Sequence, residues 1–192
     1  MGKKKKKVKR PVGQEITAKP TTYRGITFRS RLEARWAIYF DNHPLIDDWT
    51  YEPRTFKDPQ TGWEYTPDFV LKMGTVMAGW LEVKPLVPTE ETLKSLQSFV
   101  PHLPNCQGFH LALGYGSFYQ KEEPLVFMLG AHAAIDPKTV ARHAVALSKV
   151  PILGHSGAVK VAKDYRFDLP EKVPASRKPG GKTPWDYWRN KG

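Results

Sequence analysis

Two apolar runs in this chain carry charges where charges are costly. YTPDFVL (65–71) sets Asp68 directly after a proline, and WLEVKP (80–85) sets Glu82 and Lys84 two residues apart. Both read as strands, and the short connection between them favours an antiparallel hairpin. Residues two apart on a strand share a face, about 6.5–7 Å from each other. Trp80, Glu82 and Lys84 therefore take one face, and Leu81 and Val83 the other. In the first run Tyr65, Phe69 and Leu71 point one way, and Thr66, Asp68 and Val70 the other. Across the hairpin Asp68 then meets Glu82, with Lys84 beside them. Buried charge survives only when it is paired, so the fold must converge on these three groups.

The surrounding pattern supplies the rest of a sheet and its helices. YRGITF (23–28) leads into SRLEARWAIYFD, where Leu32, Trp36, Tyr39 and Phe40 recur at helical spacing. Ser30 is the expected N-cap, and His43-Pro44 stops the helix soon after Asp41. WTYEPRTF (49–56) reads as an edge-like strand holding a proline, DPQTG (58–62) as a turn, and WEYTPDFVL (63–71) as the second strand. KMGTVMAG (72–79) reads as a connection and WLEVK as the third strand. A helix capped by Thr89 follows, its apolar face made by Leu93, Leu96 and Phe99 or Val100. GFHLALGYG (108–116) reads as a buried fourth strand and PLVFMLG (124–130) as a fifth. DPKTVARHAVALSKV (136–150) reads as a helix with Asp136 as cap and Pro137 in its first turn. The expected fold class is α/β: three strands in a meander, a helical crossover to a parallel fourth strand, and an added C-terminal strand and helix.

The formal net charge of +11 over 192 residues is uneven. Lys3, Lys4, Lys5, Lys6, Lys7, Lys9 and Arg10 give the first ten residues +7, and residues 164–192 carry +3, which leaves +1 for residues 11–163. The expected organisation is a basic tail (1–20), one folded domain (21–163) and a basic C-terminal tail with prolines and aromatics (164–192). Basic tails on a near-neutral body point to a polyanionic partner, DNA first, although solvated tails also occur without a specific role. Trp185, Tyr187 and Trp188 either stack on bases or dock onto protein. A homodimer, and protein partners reached through the tails, complete the expected partners. The single cysteine, Cys106, permits no disulfide within the chain and suits a reducing compartment. No run of about 20 apolar residues spans a membrane, and MGKKKKKVKR lacks the apolar segment of a secretory signal. The expected location is cytoplasmic.

Two close carboxylates repel unless a positive group joins them. Mg²⁺ or Mn²⁺ answers that need with hard oxygen ligands, and can polarise a phosphate and acidify a bound water. Lys84 would sit where charge grows on phosphorus, or would orient the attacking water. The pieces fit phosphodiester hydrolysis.

P-D-F at 67–69, E-V-K at 82–84 and a glutamate-bearing helix upstream in FRSRLEARWA together resemble the PD-(D/E)xK nuclease signature over about residues 23–116. The chain is most similar in feel to small phage-encoded endonucleases, including Holliday-junction resolvases, and to endonuclease subunits of transposases. The resemblance implies a restriction-endonuclease-like αβββαβ core with a mixed sheet flanked by helices. It implies Asp68, Glu82 and the backbone carbonyl of Val83 as metal ligands, Lys84 as the catalytic lysine, and Glu33 as an accessory acid. Were the protein phage-encoded, it would act at the host nucleoid. Gln97 stands where some branches keep a glutamine, but the tyrosine they place four residues on is Pro101 here.

Each assignment has a plainer rival. Ser30 to Glu33 is also an S-x-x-E capping box, in which the glutamate serves the helix start. Asp68 also suits a strand-end turn, and Glu82 with Lys84 suits a wet strand face. Arg24, Arg29 and Arg31 lie near the site in sequence and suit phosphate contacts; Arg35 suits either that or pairing with glutamates. The six histidines show no ligand spacing, and Glu52 and Glu64 read as surface groups. A non-catalytic nucleic-acid-binding or virion component with the same fold is the competing function.

Overall fold

The structure is a computed structural model that describes residues 18–74, 76–104, 107, 110–118, 123–130, 135–151 and 153–168. Lys3 to Arg10, Cys106 and the tail aromatics lie outside the described residues.

Ten strands and four α-helices follow one another among these residues. Strands β1 (Thr21–Tyr23) and β2 (Ile26–Phe28) form a hairpin that the sequence reading did not anticipate. Its turn places Arg24 and Gly25 at φ 50° and 76°, the paired positive values of a tight two-residue hairpin turn. Helix α1 (Arg31–Asp41) starts as expected, with Ser30 Oγ accepting the Glu33 N–H at 3.2 Å. Every residue from Ala34 to Phe40 is buried, well beyond the expected stripe, because α1 packs on the sheet, the β1–β2 hairpin and α4 together.

One mixed sheet of six strands forms the centre, in the order β10-β9-β8-β7-β6-β3. Strands β3 (Asp48–Tyr51), β6 (Phe69–Met73) and β7 (Val76–Lys84) make the antiparallel meander. Helix α2 (Glu90–Phe99), capped by Thr89, then crosses to β8 (Leu111–Tyr115), which runs parallel to β7. Strand β9 (Leu125–Leu129) returns antiparallel, and β10 (Val145–Ala146) closes the far edge. Each face of the sheet has its own apolar cluster. Phe69, Leu71, Leu81, Val83 and Ala112 pack with α1 and α4 (Ser156–Asp164); Val70, Trp80, Leu111 and Leu113 pack with α2 and α3 (Pro137–His143). The architecture is mixed α/β with helices on both faces. On β8, Gly114 lets α1 approach: a Cβ there would lie 2.6 Å from the Trp36 ring.

Several expected boundaries move, each for a local reason. The 49–56 strand breaks after Tyr51, where Glu52 takes φ 44° and Pro53 follows. The 63–71 strand breaks at Thr66-Pro67. The pieces released, β4 (Phe56–Lys57) and β5 (Glu64–Tyr65), pair as a separate ribbon, turned at the expected DPQTG segment. Because the two-residue alternation is interrupted, Tyr65 packs on the α2 face, 5.1 Å ring to ring from Phe99, and not beside Phe69 and Leu71. The supposed 72–79 connection is mostly strand: β7 begins at Val76, and a bulge pairs Leu71 with Gly79 but Lys72 with Met77. The C-terminal helix ends at His143, since the next residues are drawn into β10 against β9. Helix α4 was not anticipated. Its last turn reaches the predicted 163/164 boundary, and Tyr165 and Phe167 continue the packing against the core. Buried Arg35 holds α4 in place, donating to the carbonyls of Ala162, Lys163 (3.0 Å) and Tyr165 (3.1 Å). It caps the end of a helix, its guanidinium on backbone carbonyls where the sequence left phosphate contact or pairing with glutamates open.

Candidate active site

The β6–β7 register pairs Phe69 with Leu81, so the next step of the hairpin sets Asp68 against Glu82. Asp68 sits just before β6, after Pro67. Its Oδ2 accepts the Val83 N–H at 2.7 Å, and its carbonyl accepts the Glu52 N–H at 2.9 Å. Glu82 is within β7, its Oε2 accepting the Tyr65 hydroxyl at 2.8 Å and its Oε1 paired with the Lys84 ammonium. Asp68 and Glu82 are 6 % and 5 % exposed, which excludes the wet-face reading. The Lys84 side chain is 34 % exposed. A strand residue presents N–H and C=O to the same edge. The Val83 carbonyl therefore turns toward the edge where its N–H meets Asp68.

Crowding of charge shapes the protonation of the site. Burial, then the Glu82 charge, push the Asp68 carboxyl well above the usual carboxylate range; the Val83 N–H and Lys84 offset only part of this. For Lys84, burial works against the charged form, but Glu82 and Asp68 outweigh it and its pKa rises. Tyr65 is pushed far up by burial and by Glu82, so it remains a hydrogen-bond donor to that carboxylate.

Glu33 reaches the site from the first turn of α1. Its carboxylate accepts the Ser30 hydroxyl at 2.6 Å and the Tyr51 hydroxyl, and its charge is felt at Asp68. The Glu33 N–H completes the Ser30 cap, but its carboxylate goes to the Ser30 and Tyr51 hydroxyls and not to the Ser30 N–H that a capping box would bond. Arg29 is also present. Its Nη2 pairs with Glu52 and lies 3.8 Å from Asp68 Oδ1.

The remaining expected residues lie elsewhere. Arg24 is 2.9 Å from Asp41 in a nearly buried pair at the opposite end of α1. The Arg31 guanidinium lies over the Phe167 ring, 5.5 Å from its centroid. Gln97 donates to the Gly130 carbonyl at 3.0 Å, beyond the end of β9 that pairs with the start of β8, away from the site. Glu64 pairs loosely with Lys57 on the surface, as expected, whereas Glu52 is drawn into the site. Tyr51 and Tyr65 escaped the sequence reading as site residues. The only signal was that each lies next to a proline break in a strand-like run. Among the described residues, no group of three or more His, Cys, Asp or Glu side chains is gathered as a metal-binding set.

No family model, curated protein or solved structure matches this chain. Its chemistry must be argued from the site.

Proposed function

We propose that the chain is a Mg²⁺- or Mn²⁺-dependent endonuclease that hydrolyses DNA phosphodiester bonds, of the PD-(D/E)xK type. The observation that carries this reading is the pair of nearly buried carboxylates, Asp68 and Glu82, with Lys84 beside them at the end of β7. With the β4–β5 ribbon set aside, the order α1, β3, β6, β7, α2, β8 supports this reading, which expects an αβββαβ core. The donor set suits the ion: Asp68, Glu82 and the Val83 carbonyl are all hard oxygen ligands, and two acids in one buried place call for more positive charge than Lys84 and the largely exposed Arg29 supply. Glu33 would be the accessory acid. Bound there, the ion would polarise a phosphate oxygen and lower the pKa of a water.

The chain's own groups have distinct tasks. Tyr65 fixes one Glu82 oxygen, and the Lys84 ammonium on the other is held where it can donate to a phosphate oxygen that gains charge. The Val83 N–H fixes the Asp68 carboxylate, and Ser30 and Tyr51 fix Glu33. The basic tails add sequence-independent affinity that falls with salt. With no base-reading module in the sequence, branched or junction DNA is the proposed substrate, in a phage or mobile-element setting and a cytoplasmic location. No described helix is long and apolar enough to cross a membrane.

The test compares wild type with Asp68→Ala, Glu82→Ala and Lys84→Ala on linear, nicked, flapped and four-way DNA with Mn²⁺. Cutting should fall by about 10²-fold or more in each variant while binding persists. If wild type leaves plasmid, single-stranded and four-way DNA uncut with either ion, the competing reading of a non-catalytic nucleic-acid-binding protein replaces this one.

A further inference from the structure

Resting on the nuclease reading, we propose that Glu52 is a positioning residue that aims the Arg29 guanidinium at a backbone phosphate of the bound DNA. Glu52 stands where β3 breaks, at φ 44°, a left-handed conformation that a residue with a side chain rarely adopts. Strain of this kind persists where the surroundings enforce it. Here the enforcing contact is the Glu52 N–H bond to the carbonyl of Asp68, 2.9 Å long, which ties the strained residue to the backbone of the site. The conformation delivers the Glu52 carboxylate to Arg29, and the same guanidinium nitrogen lies 3.8 Å from Asp68 Oδ1.

The base of the Arg29 side chain is anchored as well. Its backbone N–H donates to the Tyr51 hydroxyl at 3.2 Å, and that hydroxyl donates to Glu33. Arg29 is thus fixed by Tyr51 at its backbone and side chain and by Glu52 at its head, yet its side chain is 63 % exposed. The guanidinium also bonds the Tyr51 hydroxyl, so Glu52 and Tyr51 together set its direction, and its exposed edge faces solvent beside Asp68. A planar guanidinium held this way suits bidentate contact with a phosphodiester. Arg24, locked onto Asp41, has no comparable placement.

Binding of the full chain to a short fluorescent DNA duplex, followed by anisotropy in EDTA over a salt series, tests this without cleavage. Arg29→Ala should lower the slope of log Kd against log salt by about one phosphate contact. Glu52→Gln removes a negative charge facing DNA, so simple electrostatics has it bind more tightly. Positioning demands the reverse: about two- to five-fold weaker binding, reverting to equal or tighter binding when Arg29 is already alanine. Glu52→Gly is at ease at φ 44°; it should melt higher than wild type and still bind more weakly, which separates aim from stability. Tighter binding by either Glu52 variant with Arg29 present, or an unchanged salt slope in Arg29→Ala, overturns the proposal. Wild type that binds with these shifts but never cuts removes the nuclease reading and leaves the positioning role standing. Wild type that does not bind the duplex overturns the positioning role and leaves the nuclease reading to the cleavage test.

Discussion

On the proposed nuclease reading, replacing Asp68 by asparagine should destroy cutting, and on the geometry of the site it should make the protein more stable. In wild type at pH 8, without a divalent ion, Asp68 and Glu82 are nearly buried neighbours. Two like charges held close in a partly buried place cost on the order of 1–4 kcal/mol at effective dielectric constants between that of water and about 20. Arg29, 3.8 Å from Asp68 but largely exposed, returns about 1 kcal/mol after screening, and Lys84 compensates Glu82 more than Asp68. Asparagine keeps an acceptor for the Val83 N–H, so that bond survives. The net gain is about 1–2 kcal/mol, or roughly 2–8 °C in Tm for a chain of this size. The pH dependence has a definite sign. The folded pKa of Asp68 lies above its unfolded value of 3.8, so wild type loses stability as pH rises from there through the folded pKa. The asparagine variant lacks that loss, and the gap between the two should close as the pH is lowered toward 4. Thermal melts in EDTA from about pH 4 to 8 measure it, and added Mn²⁺ should raise the Tm of wild type by more than that of the variant. A variant that melts at or below wild type at pH 8, or a gap independent of pH, refutes the reasoning.

Three further outcomes follow from the packing. Gly114→Ala drives a methyl group into the Trp36 ring and should cost about 1–3 kcal/mol by urea melt. Arg35→Met removes the cap on α4 and should cost about 2–3 kcal/mol while leaving DNA affinity unchanged; lost affinity in a folded variant would restore Arg35 as a phosphate contact. His43 is buried beside Tyr39 and His155, and burial, then His155, lowers its pKa below 6.5. The unfolded chain therefore takes up the proton first, and stability should fall as pH drops below 6.5, by up to about 1.4 kcal/mol per pH unit; His43→Gln should flatten that slope.

The centre of the fold was readable because its signals reinforce one another. Charges in apolar runs mark themselves, and a period of two fixes which side chains meet, so Asp68, Glu82 and Lys84 come together as the spacing required. Ser30, Thr89 and Asp136 are caps whose chemistry is local, and each caps its helix. Failures came where distant contacts decide. A proline in a strand-like run reads the same whether the strand continues or, as at Pro53 and Pro67, ends. Residues 145–146 lie in an apparently helical pattern, but pairing with β9 outweighs that preference. Helix α4 opens with a histidine cap and a glycine in its first turn, weak local signals, and it is held by α1 across more than a hundred residues of sequence. Arg24 and Arg31 looked alike as phosphate contacts; only the fold commits one to Asp41 and lays the other on Phe167.

The ribbon of β4 and β5 has a consequence of its own. It leaves and rejoins the sheet through a neck closed by the Glu52–Asp68 backbone bond and by Thr55 against Thr66 at 2.7 Å. Phe56, packed on Trp80, and Tyr65, bonded to Glu82, anchor the ribbon, so only the turn at residues 58–62 can lengthen or shorten at little thermodynamic cost, because loop entropy rises only slowly with length. On the nuclease reading, that turn is a variable tip rooted beside the site, where sequence change can alter substrate preference while Tyr65 keeps its hold on Glu82.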